Sequence, residues 1–137
     1  MIKSMIRGRE IAVAVVNEVG ALARILSFLV NHGINVEAIA GYSNRIGDQG
    51  EVIFITDNNP IAIRELVSNG YVNIGERDVI VVELENRPGT LKNISEVLAS
   101  NEININYIYC TTCSKGCPAK IVLSTSDNDR AFEILKA

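Results

Sequence analysis

The sequence is poor in the residue types and motifs on which most catalysis and nucleic-acid binding depend. It has no tryptophan and one histidine, and it contains no serine-nucleophile, phosphate-loop or dinucleotide-binding motif. The net charge is −3 and no block of lysine and arginine occurs, so neither nucleic acid nor an anionic membrane is an expected partner. We therefore expect a protein that is not an enzyme and that needs no cofactor.

Long apolar runs are also lacking. No stretch approaches the roughly 20 residues of a transmembrane helix, and the first seven residues lack the hydrophobic segment of a signal peptide. These absences predict a cytoplasmic protein, in which a purely structural disulfide is not expected. The apolar fraction of 47% is that of a globular protein and leaves little room for disorder.

What the sequence does contain is an internal duplication. The segment from Asn86 to Leu91 returns as the segment from Asn17 to Leu22, with an offset of 69 residues, the difference between the two asparagine numbers. The offset holds without a gap at least as far as the pair Leu66 and Leu135. A repeat of this length is the size of a small domain rather than a solenoid unit. We predict two domains, residues 9–76 and 78–137, each too small to be very stable alone and therefore docked on each other.

Hydrophobic periodicity predicts the same order of elements in both copies: strand, helix, strand, strand, helix. The first copy then has a short fourth strand at residues 71–74. The order βαββαβ predicts an α+β, ferredoxin-like fold, an antiparallel sheet with two helices on one face. The second copy ends at its second helix, so its fourth strand is missing. We expect a partner's strand or residues 1–9 to cover the open edge.

The strand-to-helix junctions are the first candidate sites. In each, an asparagine precedes a glycine by three residues, and a helix follows. Pro88 is predicted in the first turn of its helix, and Asn59 is predicted as the N-cap of another helix. Uncovered amides, the positive end of a helix dipole and an asparagine amide together suit a carboxylate ligand. An ordinary turn between strand and helix is the alternative.

These junctions, each followed by an Ile-Asn strand start, resemble the ACT domain. The chain resembles stand-alone proteins built from two ACT domains, and the resemblance implies a regulatory module that binds a free amino acid, forms a homodimer and signals to a separate enzyme or regulator. In the serine-binding ACT domains the effector lies between paired domains, held by the turn asparagine and the strand-start asparagine. The ligand-binding residues that the resemblance implies are Asn17, Val19, Gly20, Ala21, Leu22, Asn35, Asn86, Pro88, Gly89, Thr90, Leu91 and Asn104.

Side-by-side pairing would bring Asn86 to Asn35 and Asn17 to Asn104. The serine-binding example has a histidine two residues before the turn asparagine, whereas this chain has Val15 and Leu84. This departure argues against serine and favours a branched or aromatic amino acid. The alternative for Asn35 and Asn104 is a structural role, in which a strand-start asparagine bonds to the backbone.

All three cysteines lie in one predicted hairpin of the second copy, as C-x2-C-x3-C-P: Cys110, Cys113 and Cys117. They could hold zinc or an iron–sulfur cluster if a fourth ligand were supplied, or form a reversible disulfide, or remain free thiols. The first copy has Gly41, Asn44 and Asp48 at these positions. A metal- or redox-responsive interaction module is therefore the alternative function.

Overall fold

The structure is a computed structural model that describes residues 2–136 of the 137. The chain divides into two compact units. The first unit is Arg9–Arg77, and the second unit combines Asp78–Ala137 with the N-terminal segment Met1–Gly8. Each unit is an antiparallel sheet with two helices, so the predicted α+β, ferredoxin-like fold is confirmed.

The elements follow the predicted order, with longer first and fourth strands than the sequence indicated. They are β1 (Ile2–Val16), α1 (Ala21–Val30), β2 (Val36–Tyr42), β3 (Gln49–Thr56), α2 (Asn59–Ser68), β4 (Ile74–Leu84), α3 (Thr90–Ser100), β5 (Ile105–Thr111), β6 (Ala119–Thr125) and α4 (Asn128–Lys136). The strand order is β2-β3-β1-β4 in the first unit and β1-β4-β6-β5 in the second. None of the helices that the structure describes is long and apolar enough to cross a membrane.

Strands β1 and β4 each contribute to both units. Residues 2–8 of β1 belong to the second unit, and residues 74–77 of β4 belong to the first. The repeat explains this arrangement, because Ile2 and Met5 are offset by 69 residues from Tyr71 and Ile74. Ile2 and Met5 pack against the core of the second unit, as Tyr71 and Ile74 pack against that of the first. The fourth strand that the second copy lacked at its end is therefore supplied by the N-terminal segment.

The pairing of the N-terminal segment with β4 is close. A Cβ atom placed on Gly8 would lie 3.2 Å from Cγ2 of Val81 and 3.4 Å from Cγ2 of Val79. A glycine at this position lets the two strands approach each other. Arg7 also reaches α4, where its guanidinium pairs with Asp129 and lies 4.5 Å from the centre of the Phe132 ring.

The two cores are built from matching positions of the repeat. In the first unit the buried residues come from β1, α1, β3 and α2, and in the second from β4, α3, β6 and α4. Alternate strand residues and helix residues four apart point inward, as the periodicity predicted. Examples that are buried in both copies are Ile11 and Ile80, Val13 and Val82, Ile25 and Ile94, Leu29 and Leu98, Ala62 and Ala131, and Leu66 and Leu135.

The prediction that Asn59 is the N-cap of α2 is wrong. The N-cap is Asn58, whose side chain accepts a bond of 3.3 Å from the N–H of Ile61. The Asn59 side chain is instead buried between strands, where its Oδ1 accepts from the N–H of Thr56 and its Nδ2 donates 2.9 Å to the carbonyl of Arg9. The second unit repeats this arrangement with Asn128, Thr125 and the carbonyl of Asp78.

The N-terminal segment supports a stability prediction. Met5 packs on the core of the second unit, whereas Ile6 is 61% exposed. We expect Met5→Ala to lower the free energy of unfolding by ~1–2 kcal/mol, the cost of uncovering part of a large apolar side chain. Ile6→Thr, which keeps a β-branched residue, should change it by less than ~0.5 kcal/mol. Chemical denaturation measures both, and equal effects would contradict the assignment of this segment to the second unit's core.

Candidate functional site

The turn between β1 and α1 is the centre of the candidate site. Its Gly20 is the N-cap of α1 and has a φ of 86°, a left-handed conformation that other residues rarely adopt. Glycine has no side-chain acceptor, so it cannot cap the first-turn N–H groups of α1 as serine or asparagine would. The positive end of the helix dipole therefore faces the turn without a capping side chain from this residue.

The second unit repeats this turn at α3. Gly89 is the N-cap there, with a φ of 95°. Pro88 therefore precedes the helix, and its prediction in the first helical turn is wrong. The reason is the left-handed glycine, since a residue with positive φ cannot continue the helix and the first turn starts after it.

A groove of about 800 Å³ lies against the turn of the first unit. One of its walls is the turn with the start of α1, and the others are β2, β3 and the loop between them. Of the predicted residues, Asn17, Gly20, Ala21 and Leu22 line it, whereas Val19 is 93% exposed and is not a lining residue. The lining residues that the sequence did not indicate are Val15, Glu18, Ala23, Ile39, Ala40, Gly41, Tyr42, Ser43, Gly50, Glu51 and Val52.

Two glycines shape the strand side of this groove. A Cβ atom on Gly50 would lie 2.6 Å from the carbonyl oxygen of Tyr42, so no other residue fits at position 50 without a backbone shift. Gly41 differs, because a Cβ atom there would meet its nearest neighbour, Cγ2 of Val52, at an ordinary 3.8 Å. The bare strand at Gly41 thus leaves space in the groove that a larger side chain could fill.

Backbone hydrogen bonds fix the β2–β3 loop to the turn. The N–H of Asn17 donates to the carbonyl of Asp48 at 2.9 Å, and the carbonyl of Asn17 accepts from the N–H of Gly47 at 2.8 Å. Both main-chain groups of Asn17 are therefore used in holding the loop. Its half-buried side chain lines the groove, where an amide can both donate and accept.

A charged network lies on the face of the sheet opposite Val52, because Tyr42 and Glu51 form the strand pair next to Gly41 and Val52 and successive side chains alternate between faces. Glu51 accepts from the hydroxyl of Tyr42 at 2.8 Å and from Nη2 of Arg77 at 3.2 Å. Nε of Arg77 also lies 3.4 Å from Oε1 of Glu10, which is fully buried. The guanidinium of Arg77 therefore contacts both carboxylates. A buried carboxylate such as that of Glu10 requires a positive partner of this kind. The hydrogen bond to Glu51, together with burial, raises the pKa of Tyr42 above its usual 10.0.

The strand-start asparagines lie away from the turn asparagines. Since β1 and β2 both run antiparallel to β3, Asn17 at the end of β1 and Asn35 before β2 are at opposite ends of the sheet. The eight residues of β3 separate them by roughly 26 Å at about 3.3 Å per residue. In the second unit, Asn86 and Asn104 are placed in the same way around β6. No unit brings its own two asparagines together.

The main chains of the strand-start asparagines take part in structural bonds. The N–H of Asn35 donates to a carboxylate oxygen of Asp57 at 3.0 Å. The N–H of Asn104 donates to the hydroxyl of Ser126 at 3.0 Å, and its side chain donates to Oδ1 of Asn106 at 3.1 Å. The bonds to Asp57 and Ser126 tie each strand start to the end of the neighbouring strand, but they use the main-chain N–H and not the asparagine side chain of the structural alternative.

The turn of the second unit has different surroundings. Nδ2 of Asn86 donates to the hydroxyl of Thr112 at 2.6 Å, and the Thr90 hydroxyl donates to the carbonyl of Glu85 at 2.9 Å. A small, mainly apolar cavity of about 230 Å³ lies beside α3. Of the predicted site residues only Thr90 lines it, with Ile2, Leu84, Asn93, Ile94, Val97, Ile134 and Leu135. Leu91 is 44% exposed, much like its counterpart Leu22 at 46%.

The structure pairs two of the three cysteines. Cys113 and Cys117 form a disulfide, and Cys110 is free and exposed. Partial burial raises the pKa of the Cys110 thiol above its usual value. Among residues 2–136, no three side chains of histidine, cysteine, aspartate or glutamate are grouped as a metal site requires. Of the two chemistries considered for these thiols, the observed pairing favours the redox one.

Comparison with family models identifies both halves of the chain. A model of the ACT domain matches residues 9–67, and a model of the AHAS small subunit-like ACT domain matches residues 80–137. The chain therefore belongs to the ACT family. Within that family it is a tandem protein of two ACT domains. Comparison with curated proteins gives no match.

Solved structures with the same fold extend over almost the whole chain. Protein BT0572 from Bacteroides thetaiotaomicron is 23% identical with a TM-score of 0.87, and the match covers 96% of this chain and 88% of that one. The ligand-free regulatory subunit of aspartate kinase from Thermus thermophilus is 13% identical with a TM-score of 0.69, over 98% and 96%. The regulatory subunit from Thermus flavus is 16% identical with a TM-score of 0.67, over 98% and 96%. At these identities the likeness shows the fold.

The hydrogen bond between Tyr42 and Glu51 supports a pH prediction. Because the pKa of Tyr42 is raised when the protein is folded, the neutral phenol stabilises the fold below the usual tyrosine pKa of about 10. That stability is lost as the pH rises through the raised pKa. We expect Glu51→Gln to move the pKa of Tyr42 back towards the ordinary value.

NMR titration of the tyrosine ring signals measures this change. The matched control is Glu65→Gln, because Glu65 contacts His32 rather than Tyr42. A Tyr42 titration curve that is the same in Glu51→Gln and in the original protein would show that the hydrogen bond to Glu51 is not its cause.

Proposed function

We propose that the protein is a non-catalytic regulatory module that binds a free amino acid in the groove of its first unit and signals occupancy to a separate enzyme or regulator. The observation that carries the proposal is the composition of the groove. It combines a helix N-terminus and an asparagine side chain with a wall of aliphatic residues. A cleft of several hundred Å³ with a few polar groups on an apolar lining is typical of a small-molecule site.

The groups of the groove suit the parts of a zwitterion. The α-carboxylate would lie at the start of α1, where main-chain N–H groups and the helix dipole favour an anion. The α-ammonium would donate to the amide oxygen of Asn17, because an asparagine amide can accept as well as donate. In this orientation the amino-acid side chain lies against Leu22 and Ile39.

The apolar wall also bears on the choice of amino acid. Val15 and Val52 line the groove together with Leu22 and Ile39. A serine hydroxyl would gain no polar partner from these four side chains, whereas a branched or aromatic side chain would bury apolar surface against them. We therefore propose a branched or aromatic amino acid as the effector.

A strand-start asparagine at the groove would require a further ACT domain. Asn17 and Asn35 lie at opposite ends of the first unit's sheet, so the first unit does not bring its own strand-start asparagine to the groove. We propose a homodimer, in which a second copy of the chain supplies one. The ACT-domain structures described as regulatory subunits of aspartate kinase support a regulated enzyme as partner.

A thermal-shift screen against the twenty amino acids, carried out in the presence of reductant, tests the proposal. A ligand that binds only the folded state at 100 times its Kd adds about 2.7 kcal/mol of stability. For domains of this size that raises Tm by on the order of 10 °C. We expect leucine, isoleucine, valine or phenylalanine to give such a shift and glutamate and lysine to give none.

Two glycine substitutions locate the binding site. Gly41→Leu fills the groove without straining the backbone, since a Cβ atom there has ordinary space, and it should abolish the shift. Gly75→Leu is the matched control, because Gly75 lies in β4 with nothing within 4 Å of an added Cβ atom. The proposal is wrong if none of the twenty amino acids changes Tm, or if Gly41→Leu keeps the full response.

A further inference from the structure

The disulfide lies in a loop that is connected to the turn of the second unit. Cys113 and Cys117 are in the loop between β5 and β6, and their Cα atoms are 5.7 Å apart, within the usual range for a disulfide. Thr112 immediately precedes Cys113. Its hydroxyl accepts from Nδ2 of Asn86 at 2.6 Å and donates to the carbonyl of Cys113 at 3.4 Å. The amide of Asn86 is therefore one hydrogen bond away from the cysteine loop.

The two copies hold this loop in different ways. In the first unit the main chain of Asn17 fixes the loop through Asp48 and Gly47. In the second unit the position of Asp48 is taken by Cys117, and the side chain of Asn86 contacts Thr112. A bond that can be broken and re-formed thus occurs where the first unit has an ordinary turn.

We propose that Cys113 and Cys117 are a reversible dithiol–disulfide pair whose oxidation holds the side-chain amide of Asn86 on Thr112. With the disulfide closed, the loop is restrained and Thr112 stays bound to Asn86. With the bond reduced, the loop relaxes and the amide of Asn86 is released. Resting on the proposed function, reduction thus frees in the second unit the amide that corresponds to Asn17, the asparagine proposed to contact the amino acid in the first unit.

The oxidant in this scheme is a low-molecular-weight disulfide such as oxidised glutathione. Cys113 is exposed, and its sulfur accepts from the N–H of Cys117 at 3.2 Å. The Cys113 thiol loses its proton, and the resulting thiolate attacks the external disulfide and releases one thiol. The half-buried Cys117, as thiolate, then attacks the sulfur of Cys113 and displaces the second. Two protein thiols are oxidised and one external disulfide is reduced to two thiols.

Alkylation in glutathione buffers tests the redox step without any amino-acid ligand. The intact protein is equilibrated with reduced or oxidised glutathione, treated with iodoacetamide and weighed by mass spectrometry. We expect three alkylated cysteines in the reduced sample and one, Cys110, in the oxidised sample. Cys110→Ser is the matched control and should still lose two alkylation sites on oxidation. Three free thiols in both samples would overturn the proposal.

NMR of the side-chain amides tests the connection to Asn86. The Asn86 pair of signals is assigned by its loss in Asn86→Asp. We expect these signals to move between the oxidised and reduced proteins and the side-chain amide signals of Asn31, on the other unit, to stay in place. Thr112→Val, which removes the acceptor, should abolish the movement while the disulfide still forms.

The alkylation and NMR experiments test the redox proposal independently of the thermal-shift screen for amino acids. Signals of Asn86 that are identical in both redox states, or that move equally in Thr112→Val, would show that the disulfide does not act through this contact. A failed thermal-shift screen would leave both of these measurements valid. A successful screen with an unresponsive Asn86 would leave the proposed function intact and refute the redox control.

Discussion

The structure of each unit depends on a fourth strand that lies beside the first strand of its repeat. A ferredoxin-like unit needs a fourth strand beside its first, because a bare edge exposes a row of unpaired N–H and carbonyl groups. Each unit takes this strand from the residues that precede the first strand of the other. The side-chain amides of Asn59 and Asn128 bond to the carbonyls of Arg9 and Asp78, the two points at which β1 and β4 pass between units. Both copies therefore have the same arrangement, in which the segment that precedes the first strand of the other copy completes the sheet and an asparagine side chain bonds to the carbonyl at the start of its own first strand.

With the fold set twice by the same pattern, the two copies are free to differ beside their turns. The first unit has Gly41 and Gly50 in its groove, where the second has Cys110 and Ala119. It also has Asp48 where the second has a cysteine of the disulfide. The first unit thus keeps an open groove beside a fixed loop, and the second has a loop whose restraint depends on a covalent bond. The same fold therefore carries a candidate ligand-binding groove in one unit and a candidate redox-sensitive loop in the other.

Much of the fold could be predicted from the sequence because its signals are local. The spacing of hydrophobic residues predicts the strands and helices. Each predicted element can also be compared with its counterpart 69 residues away in the other copy. The start of β1 could not be predicted, since Ile2 and Met5 are three residues apart rather than two and the segment carries no strand alternation. Likewise two adjacent asparagines, Asn58 and Asn59, are equally good caps by sequence, and only the bond to a distant carbonyl separates their roles.

The site is less predictable because it is assembled from distant parts of the chain. The motif located the turn, which is local, and indicated Asn17, Gly20, Ala21 and Leu22 correctly as neighbours in space. The opposite wall comes from β2 and β3, and nothing in the motif indicates Glu51 or Gly41. A register count would have found them, because Gly41 pairs with Val52 and Tyr42 with Glu51. The pairing of Cys113 with Cys117 also needed the structure, since three cysteines allow three pairings.

Binding of an amino acid in the groove beside the first turn can be observed residue by residue. Backbone amide shifts are mapped in ¹⁵N-labelled protein titrated with leucine and then with phenylalanine. We expect saturable shifts at residues 17–22, 39–43 and 50–52, with the rest of the first unit nearly unchanged. Saturable shifts confined to other parts of the chain, or none with either amino acid, would contradict binding in this groove.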